Sequence, residues 1–320
     1  MSGIYIHIPY CRQACHYCSF HFSTSIKNKA NLVSSLIKEI ELRHKELSQS
    51  TLDSIYLGGG TPSLLTDEEL ASIMKKIVTY WQIDESTEIT LEANPEDITK
   101  EKLISWYSIG VNRLSIGIQS FHEDDLKYMN RAHNADQSHH ALSLINSSPF
   151  KAVSADLMFG LIDRSLDDWA ANLDIMLSYD LDHLSIYNLT VEEQTVFANW
   201  KLKNKLQEST SELQYEQYML AEQKLSASGY DHYEISNYAK PKRQAIHNTN
   251  YWNRKPYLGI GPSAHSYIDG RRSWNVANNA TYIKQLESNS YTPSTEHITE
   301  VDRYNAVSYT HLTLPTKRIV

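Results

Sequence analysis

Residues 3–18 read GIYIHIPYCRQACHYC, a short apolar run that leads directly into a loop holding all three cysteines of the chain. The β-branched, apolar residues at its start predict a strand over about residues 3–8. Cys11, Cys15 and Cys18 follow within one short loop. An odd number of cysteines does not make a closed disulfide set, so crowding of this kind favours ligands or catalysts over disulfides.

The spacing of the cysteines predicts an iron–sulfur site. Three thiolates can bind three irons of a 4Fe-4S cluster and leave the fourth iron without a protein ligand. An open position is what a catalytic metal centre requires, and this iron could chelate the amino and carboxylate groups of S-adenosylmethionine. Reduction of the sulfonium then releases a 5′-deoxyadenosyl radical, which is chemistry of the cofactors that the protein positions and shields.

Zinc is the alternative metal for this loop. It would bind the three cysteines with His7, His16 or His21 as the fourth ligand. Zinc sites usually present paired C-x2-C or C-x2-C/H-x3-H elements, which the C-x3-C-x2-C loop matches poorly. The cluster is therefore the favoured interpretation.

Beyond the loop, short apolar runs alternate with segments of helical period. Six predicted strands alternate with helices, which indicates a parallel sheet with crossover connections. Because six units are too few for an eight-fold barrel, we expect an α/β fold with a partial (β/α)6 barrel; an open doubly wound sheet is the alternative. The further strands are predicted at about 53–57, 87–92, 112–118, 152–158 and 182–188, and the helices at about 28–47, 67–80, 99–108, 136–146 and 165–178.

Cysteines, glycines and polar residues interrupt the apolar pattern at the carboxyl ends of these strands. These ends share one face of a parallel barrel, and that face is where barrel enzymes build their sites. Glu92 and Asp156 stand out because carboxylates are almost never fully buried without a partner. The residues concerned are the cysteine loop, the run Gly58–Ser63, Glu92, Gln119, Asp156 and Tyr187.

The pattern changes after about residue 190. A charged helix is predicted at about 210–228, followed by a strand-like run, GYDHYEIS, at 229–236. Residues 237–295 are rich in Asn, Tyr, Trp, Gly and Pro with weak periodicity, which predicts a smaller irregular region. The expected division is therefore a core over 1–235, a second region over 236–305 and a tail over 306–320.

Composition excludes some classes of function. The net charge of −8 and the pI near 6.0 argue against a nucleic-acid partner, because no positive field is available to meet phosphates. No uncharged apolar run approaches the roughly 20 residues that span a bilayer, and the amino terminus lacks the pattern of a secretory signal. A cytoplasmic protein is expected.

Further motifs follow the cysteine loop along the chain. They are GGGTPS at 58–63, LEANPE at 91–96, RLSIGIQSF at 113–121, RAH at 131–133, DLMFG at 156–160, LSIYNL at 184–189, HYEISNYA at 232–239 and HNTNYW at 247–252. With these motifs and the cysteine loop, the sequence resembles the radical S-adenosylmethionine superfamily. The likeness runs from residue 3 to about 305 and is strongest to the branch of oxygen-independent coproporphyrinogen III oxidases (dehydrogenases) and heme chaperones.

The resemblance implies a role for each matching residue. Tyr5 would pack beside the cofactor at the cluster. The methionyl amino group would meet Gly59, Gly60 and Thr61, since glycines let a backbone approach a ligand closely. The methionine carboxylate and the ribose hydroxyls would be held by Glu92, Gln119, Arg131 and Asp156.

Three features favour the heme chaperones within this branch. Phe20 stands where the oxidases carry a fourth cysteine, and the chain starts close to its first strand, where the oxidases have a long preceding segment. The HNTNYW run matches a motif associated with heme binding, which implies His247 as an axial ligand and Tyr251 and Trp252 as a cover for the macrocycle. A surface histidine in a polar loop is the plain alternative for His247.

The resemblance also implies partners. They are heme, a heme-acceptor protein and an electron donor such as flavodoxin or ferredoxin, and a weak membrane association is compatible with them. Whether the chain is an enzyme stays open. If it is, the reaction would be the oxidative decarboxylation of coproporphyrinogen III, as in the oxidases of the branch.

The last residues do not fit this pattern. Residues 306–320, AVSYTHLTLPTKRIV, match nothing in the family. We expect them to be a foreign tail on a truncated chain that lacks the family's small helical C-terminal domain. Such a loss would leave an apolar face exposed.

Overall fold

Six parallel strands form the centre of the fold and follow the predicted runs closely. A computed structural model describes residues 2–162 and 164–302; the tail expected at 306–320 lies outside them. The strands pair in the order in which they occur in the chain, each parallel to the next. They are β1 (Gly3–Ile8), β2 (Ser54–Gly59), β3 (Glu88–Ala93), β4 (Arg113–Gln119), β5 (Ala152–Phe159) and β6 (His183–Asn188).

Helices separate these strands, and their first turns follow the sequence signals. Thr66 and Glu69 form a capping box at the start of α2, and Ser165 and Asp168 form one at the start of α6. The helices in the described ranges are α1 (Lys29–Arg43), α2 (Asp67–Tyr80), α3 (Lys100–Ile109), α4 (Glu123–Tyr128), α5 (Ala135–Asn146), α6 (Leu166–Leu177), α7 (Val196–Leu202), α8 (Ser211–Ala227), α9 (Ile246–Trp252) and α10 (Asn279–Glu287).

The two faces of the central strands differ in chemistry. Residues of one parity, such as Ile4, Ile6, Leu91 and Ile116, are apolar and buried in one core with residues of α1, α2, α3, α5 and α6. Side chains of the other parity point to the opposite, inner face, because successive residues of a strand alternate. The inner face is mostly polar and carries Tyr5, His7, Ser54, Tyr56, Glu88, Thr90, Glu92, Arg113, Ser154, Asp156, His183, Ser185 and Tyr187.

The region predicted to be irregular extends the same sheet at both edges. On one side β8 (Asn237–Ala239) pairs antiparallel with β6, and β7 (Asp231–His232) pairs with β8; these two residues are the paired part of the strand-like run 229–236. On the other side β9 (Tyr257–Ile260) pairs parallel with β1 and is followed by β10 (His265–Ile268), β11 (Arg271–Trp274) and β12 (Ser294–His297). The boundary near residue 235 stays a prediction.

The sheet does not close. Among the described residues its outer strands are β12 and β7, so the expected partial barrel is confirmed. Within the same part of the chain, no helix is both long and apolar enough to cross a membrane.

A buried carboxylate fastens the later residues to the first helix. The side chain of Glu39 in α1 is fully buried and accepts hydrogen bonds from the hydroxyls of Tyr282 (2.5 Å) and Tyr291 (2.9 Å) and from the amide of Asn275 (2.8 Å). It also forms an ion pair with Arg43 at 2.9 Å, and the Arg43 guanidinium donates to the carbonyl of Gly259. Residues 257–291 are therefore tied to the core by charged hydrogen bonds.

Candidate cofactor site at the carboxyl ends of the strands

The cysteine loop is held from both sides by backbone hydrogen bonds. The Cys11 N–H donates to the carbonyl of Ser23 at 3.1 Å, and the His16 N–H donates to that of Met129 at 3.0 Å. Asn130, whose φ of 56° places it in the left-handed region, donates from its side chain to the carbonyl of Ala14 at 2.7 Å. The loop that carries the three thiols is thus fixed by contacts with neighbouring segments of the protein.

Asp97 joins the cysteine loop to the glycine-rich turn. Its side chain is fully buried and accepts from the Arg12 guanidinium at 2.6 Å and from the Ser63 hydroxyl at 2.7 Å. Arg12 belongs to the cysteine loop, and Ser63 belongs to the short turn after β2. One carboxylate therefore sets the position of the thiols relative to the turn after β2.

The thiols themselves lie in a partly buried setting. Burial raises the pKa of the Cys11 thiol to about 11, although a hydrogen bond with Thr61 opposes that rise. The pKa of Cys18 is also raised, chiefly by burial. The Arg131 guanidinium approaches the Cys15 sulfur at 3.6 Å. Because a bound metal replaces the thiol protons, metal binding here would release protons.

The histidines of the zinc alternative are each engaged within the protein. His7 lies within hydrogen-bond distance of the His21 carbonyl, His16 of the Tyr128 carbonyl and His21 of the Asn279 side chain. Within residues 2–162 and 164–302, no three His, Cys, Asp or Glu side chains converge on a point where one metal ion could bind. Three thiols in one loop are the donor set that an iron–sulfur cluster uses.

The glycine-rich turn after β2 has no space for side chains. A Cβ on Gly59, whose φ is 104°, would lie 2.3 Å from the ring of His7, and one on Gly60 would lie 2.7 Å from the carbonyl of Ile8. Contacts within the protein therefore require glycine at these two positions, whereas the sequence pattern indicated close approach of the backbone to a ligand. Thr61 is buried behind the turn, where its hydroxyl accepts from the Asn94 amide at 3.3 Å.

Glu92 and Asp156 face each other across the inner face. Glu92 accepts from the Tyr56 hydroxyl at 2.7 Å and from the Gly59 N–H at 3.0 Å. Burial raises its pKa to about 7, and the negative charge of Asp156 contributes to that rise. Burial likewise raises the pKa of Asp156 to about 6, with a hydrogen bond to Ser185 acting against it. Two carboxyls with raised pKa values at strand ends are typical of a binding site.

Two polar atoms nearby lack partners among the described residues. They are the side-chain oxygen of Gln119 and the Nε of Arg131, both buried. Gln119 ends β4 with a φ of 68°, next to an irregularity in the pairing with β5. The Arg131 Nη2 donates to Asn94 and to the Gly117 carbonyl, both at 2.8 Å. The Gln119 oxygen is a hydrogen-bond acceptor and the Arg131 Nε is a donor. Both lie near the carboxyl ends of the strands, where they fit a ligand that offers a donor and an acceptor in return.

Two aromatic residues, Tyr5 in the middle of β1 and Tyr187 near the end of β6, complete the set. Tyr5 stacks on Tyr56 with ring centroids 6.1 Å apart, and its hydroxyl lies 3.0 Å from His7 Nδ1. Tyr187 is the last residue but one of β6 and is partly exposed. Partial burial of its hydroxyl and the charge of Asp156 raise its pKa. The predicted residues of β1 to β6 thus lie on one connected polar surface.

The predicted heme residues lie nearer the amino ends of the strands, where the His247 ring packs against Tyr56. The His247 ring is buried, with Nδ1 at 2.8 Å from the Ser54 hydroxyl and Nε2 at 2.9 Å from the Tyr251 hydroxyl. Tyr251 is partly exposed, and Trp252 ends α9 half-buried. Ligation of heme by His247 would require its ring to leave these two partners.

Sequence reasoning missed three residues that shape the site. They are Asp97, Asn94 and Asn130, each of which bonds to the cysteine loop or to the residues around it. Asn94 lies within the quoted motif LEANPE, and Asp97 follows it directly. For Asn94 and Asp97 the available signal was their polarity just after β3, whereas Asn130 follows α4, and the partners of all three lie far away in the sequence.

The whole-chain comparisons agree with this geometry. Residues 5–176 match the model of the Radical SAM superfamily. This chain belongs to the radical SAM superfamily, and the resemblance inferred from its motifs is confirmed.

Curated relatives narrow the position within that superfamily. The heme chaperone HemW of Bacillus subtilis (strain 168) is 35% identical over 91% of this chain and 77% of its own length. HemW of Synechocystis is 34% identical over 90% of this chain and 71% of its own, and HemW of Escherichia coli K12 is 35% identical over 84% and 71%. This chain therefore lies in the branch that contains HemW.

A solved structure supports the fold. The radical SAM coproporphyrinogen III oxidase HemN of Escherichia coli superimposes with a TM-score of 0.84 over 97% of this chain and 75% of its own, at 21% identity. At that identity the likeness concerns the fold.

Proposed function

We propose that this protein is a heme chaperone that holds a 4Fe-4S cluster and S-adenosylmethionine and hands heme to an acceptor protein. The observation that carries the proposal is the identity of 32–37% to proteins named heme chaperone HemW, over 83–91% of this chain. Phe20 in place of a fourth cysteine supports the same choice.

In this proposal each side of the site has a defined task. Cys11, Cys15 and Cys18 hold the cluster, which supplies the reductive chemistry when it is bound. Glu92 and Asp156 accept hydrogen bonds from the ribose hydroxyls, while Gln119 and Arg131 meet the methionine carboxylate. Gly59, Gly60 and Thr61 meet the methionyl amino group, and Tyr5 packs beside the cofactor at the cluster. The open atoms of Gln119 and Arg131 support this assignment.

Heme binding is tested by titration under anaerobic conditions. His247, with Tyr251 and Trp252, is the proposed heme contact, and α9 must open for the imidazole to reach iron because both ring nitrogens are engaged. We expect the wild type to give a histidine-ligated heme spectrum and H247A to lose it. An unchanged Soret spectrum in H247A would rule out His247 as the ligand.

Delivery of heme is tested separately. Heme-loaded protein is mixed with the heme-free form of a b-type cytochrome domain, with free heme at equal concentration as the control. We expect the loaded protein to fill the cytochrome domain faster than it loses heme to buffer. Transfer no faster than that loss would argue against a chaperone.

The second candidate is the oxidation of coproporphyrinogen III. It is supported by the fold likeness to HemN. We expect no protoporphyrinogen from reconstituted protein supplied with strong reductant, S-adenosylmethionine and substrate, because Phe20 replaces a cysteine of the oxidase pattern. Conversion of the substrate would make the oxidase the better assignment.

The proposal also includes an electron donor and a cellular compartment. A cluster that is reduced during use needs an electron donor, such as flavodoxin or ferredoxin, and free thiols are maintained in the reducing cytoplasm. Anaerobic reduction of the reconstituted cluster by either donor tests the first part.

A further inference from the structure

His247 is packed against the residues that orient Glu92. It belongs to α9, whose first turn is fixed to β3 because Glu88 accepts the N–H groups of Ile246 and His247, both at 2.9 Å. The imidazole is 3% exposed, and the Ser54 hydroxyl holds its Nδ1 at 2.8 Å. The ring therefore has a single well-defined position on the inner face.

One side of this ring is covered by Tyr56. The ring centroids of His247 and Tyr56 lie 5.1 Å apart with planes inclined by 26°. Tyr5 lies against Tyr56 as well, at 6.1 Å and 26°. Tyr5 also lies against His247, with ring centroids 6.5 Å apart, so the three rings are in mutual contact. The Tyr56 ring is confined by both neighbours and keeps one rotamer, because protein interiors are packed as closely as organic crystals.

The position of the Tyr56 ring decides where its hydroxyl points. That hydroxyl donates to one oxygen of Glu92 at 2.7 Å, and the other oxygen accepts from the Gly59 N–H at 3.0 Å. Loss of the Tyr56 contact would leave the carboxylate with one of these two donors. The orientation of Glu92 thus depends on Tyr56, and that of Tyr56 depends on His247.

We propose that His247 is a positioning residue for the S-adenosylmethionine site, acting through Tyr56 on Glu92. The inference rests on the proposed function, in which Glu92 holds the ribose. A motif resembling a heme-binding one would then also set the affinity for the other cofactor.

The test is a double-mutant cycle on the full chain with its cluster reconstituted. S-adenosylmethionine is titrated into the reduced protein and followed by the electron paramagnetic resonance spectrum of the cluster. We expect H247L and Y56F each to weaken binding about five- to tenfold, within the range of couplings between contacting residues. The double variant should bind no more weakly than Y56F alone.

Matched variants separate positioning from general damage. H247F keeps a ring against Tyr56 and should bind more tightly than H247Q, which keeps an amide for hydrogen bonding but has no ring. I246A changes the neighbouring, partly exposed residue of α9 and should bind as the wild type does. Iron content and melting temperature are measured for every protein.

The outcomes are distinct. Additive losses in the double variant, equal affinities for H247F and H247Q, or full affinity in a folded H247L protein would each overturn the inference. If H247L fails to fold, the comparison of H247F with H247Q decides. Failure of the wild type to bind S-adenosylmethionine would instead contradict the proposed function, before any variant is examined.

Discussion

The surroundings of Glu92 shift its pKa into the range near neutral pH. Burial raises its pKa to about 7, and Asp156 adds a like charge. A glutamic acid in an unfolded chain ionises near pH 4.3. The native state therefore binds this proton more tightly than the unfolded state does, so stability falls as the pH rises between these two values.

We expect E92Q to remove this pH dependence. Relative to E92Q, the ligand-free wild type should lose on the order of 3 kcal/mol of unfolding free energy between pH 5 and pH 8, because each unit of pKa shift corresponds to roughly 1.4 kcal/mol. Urea denaturation at several pH values measures it.

The comparison with E92Q also controls for the effect of buried histidines on the pH dependence of stability. Burial lowers the pKa of His7 to about 4 and that of His247 to about 3, so these residues reduce stability as the pH falls below about 6.5 in both proteins. Identical pH profiles for the two proteins would contradict the role given to Glu92.

Cys15 is the central cysteine of the loop, and we expect C15A to abolish cluster assembly. The remaining two thiolates cannot hold a cubane that already lacks a fourth protein ligand. Iron and sulfide analysis after anaerobic reconstitution should fall from about four irons per chain to near zero.

F20A is the matched control for this change. Phe20 lies in the same loop but is 69% exposed, so its removal should leave the cluster intact. A wild-type iron content in C15A would show that this cysteine is not a ligand.

At the scale of elements, the junction between the cysteine loop and the turn after β2 depends on Asp97. We expect D97A to lower the free energy of unfolding by about 1–3 kcal/mol, because the buried Ser63 hydroxyl loses its acceptor. The variant should also lose iron to a chelator faster than the wild type does.

R12A provides the comparison for D97A. The Arg12 side chain is half-exposed, so its loss should cost less than about 1 kcal/mol. Equal rates of iron loss in D97A and the wild type would show that the loop does not need this anchor.

The sequence was a good guide to the elements that have strong local signals. β1 and α2 occur at their predicted bounds, because alternating apolar residues and a capping box act over a few neighbouring positions. The six-residue helix α4 and the short strands β8 to β12 carry too few residues to show a period.

The candidate site was predictable in part, because some of its residues also carry a local sequence signal. Glu92 and Asp156 stood out locally as carboxylates in apolar runs, and the structure brings them together. Asp97 could not be assigned, because its partner Arg12 lies 85 residues away. The enclosure of His247 depends on Ser54 and Glu88, which are equally remote in sequence.

At the scale of the molecule, Glu39 holds residues 257–291 against the core. We expect E39Q to lower the unfolding free energy by about 1–3 kcal/mol, because the buried Arg43 loses one of its two carboxylate partners and keeps the ion pair with Glu46 at 2.8 Å. Melting should remain a single transition, since both halves of the chain share one sheet. Differential scanning calorimetry measures both quantities.

E41Q serves as the control on the same helix. Glu41 pairs with Lys76 at the surface, so this change should have a small effect. Two separate transitions in the wild type would support an independent domain after residue 235, and equal stability of E39Q and E41Q would contradict the anchoring role of Glu39.

The polar inner face of the partial barrel has a consequence for heat capacity. Exposure of apolar surface raises the heat capacity of unfolding, whereas exposure of polar surface lowers it. Several polar side chains of the inner face are buried, among them Ser54, Thr90 and Ser154. Unfolding of this sheet therefore contributes less heat capacity than unfolding of a sheet buried between two apolar layers. Most of the temperature dependence of the unfolding free energy then comes from the apolar side that the helices cover.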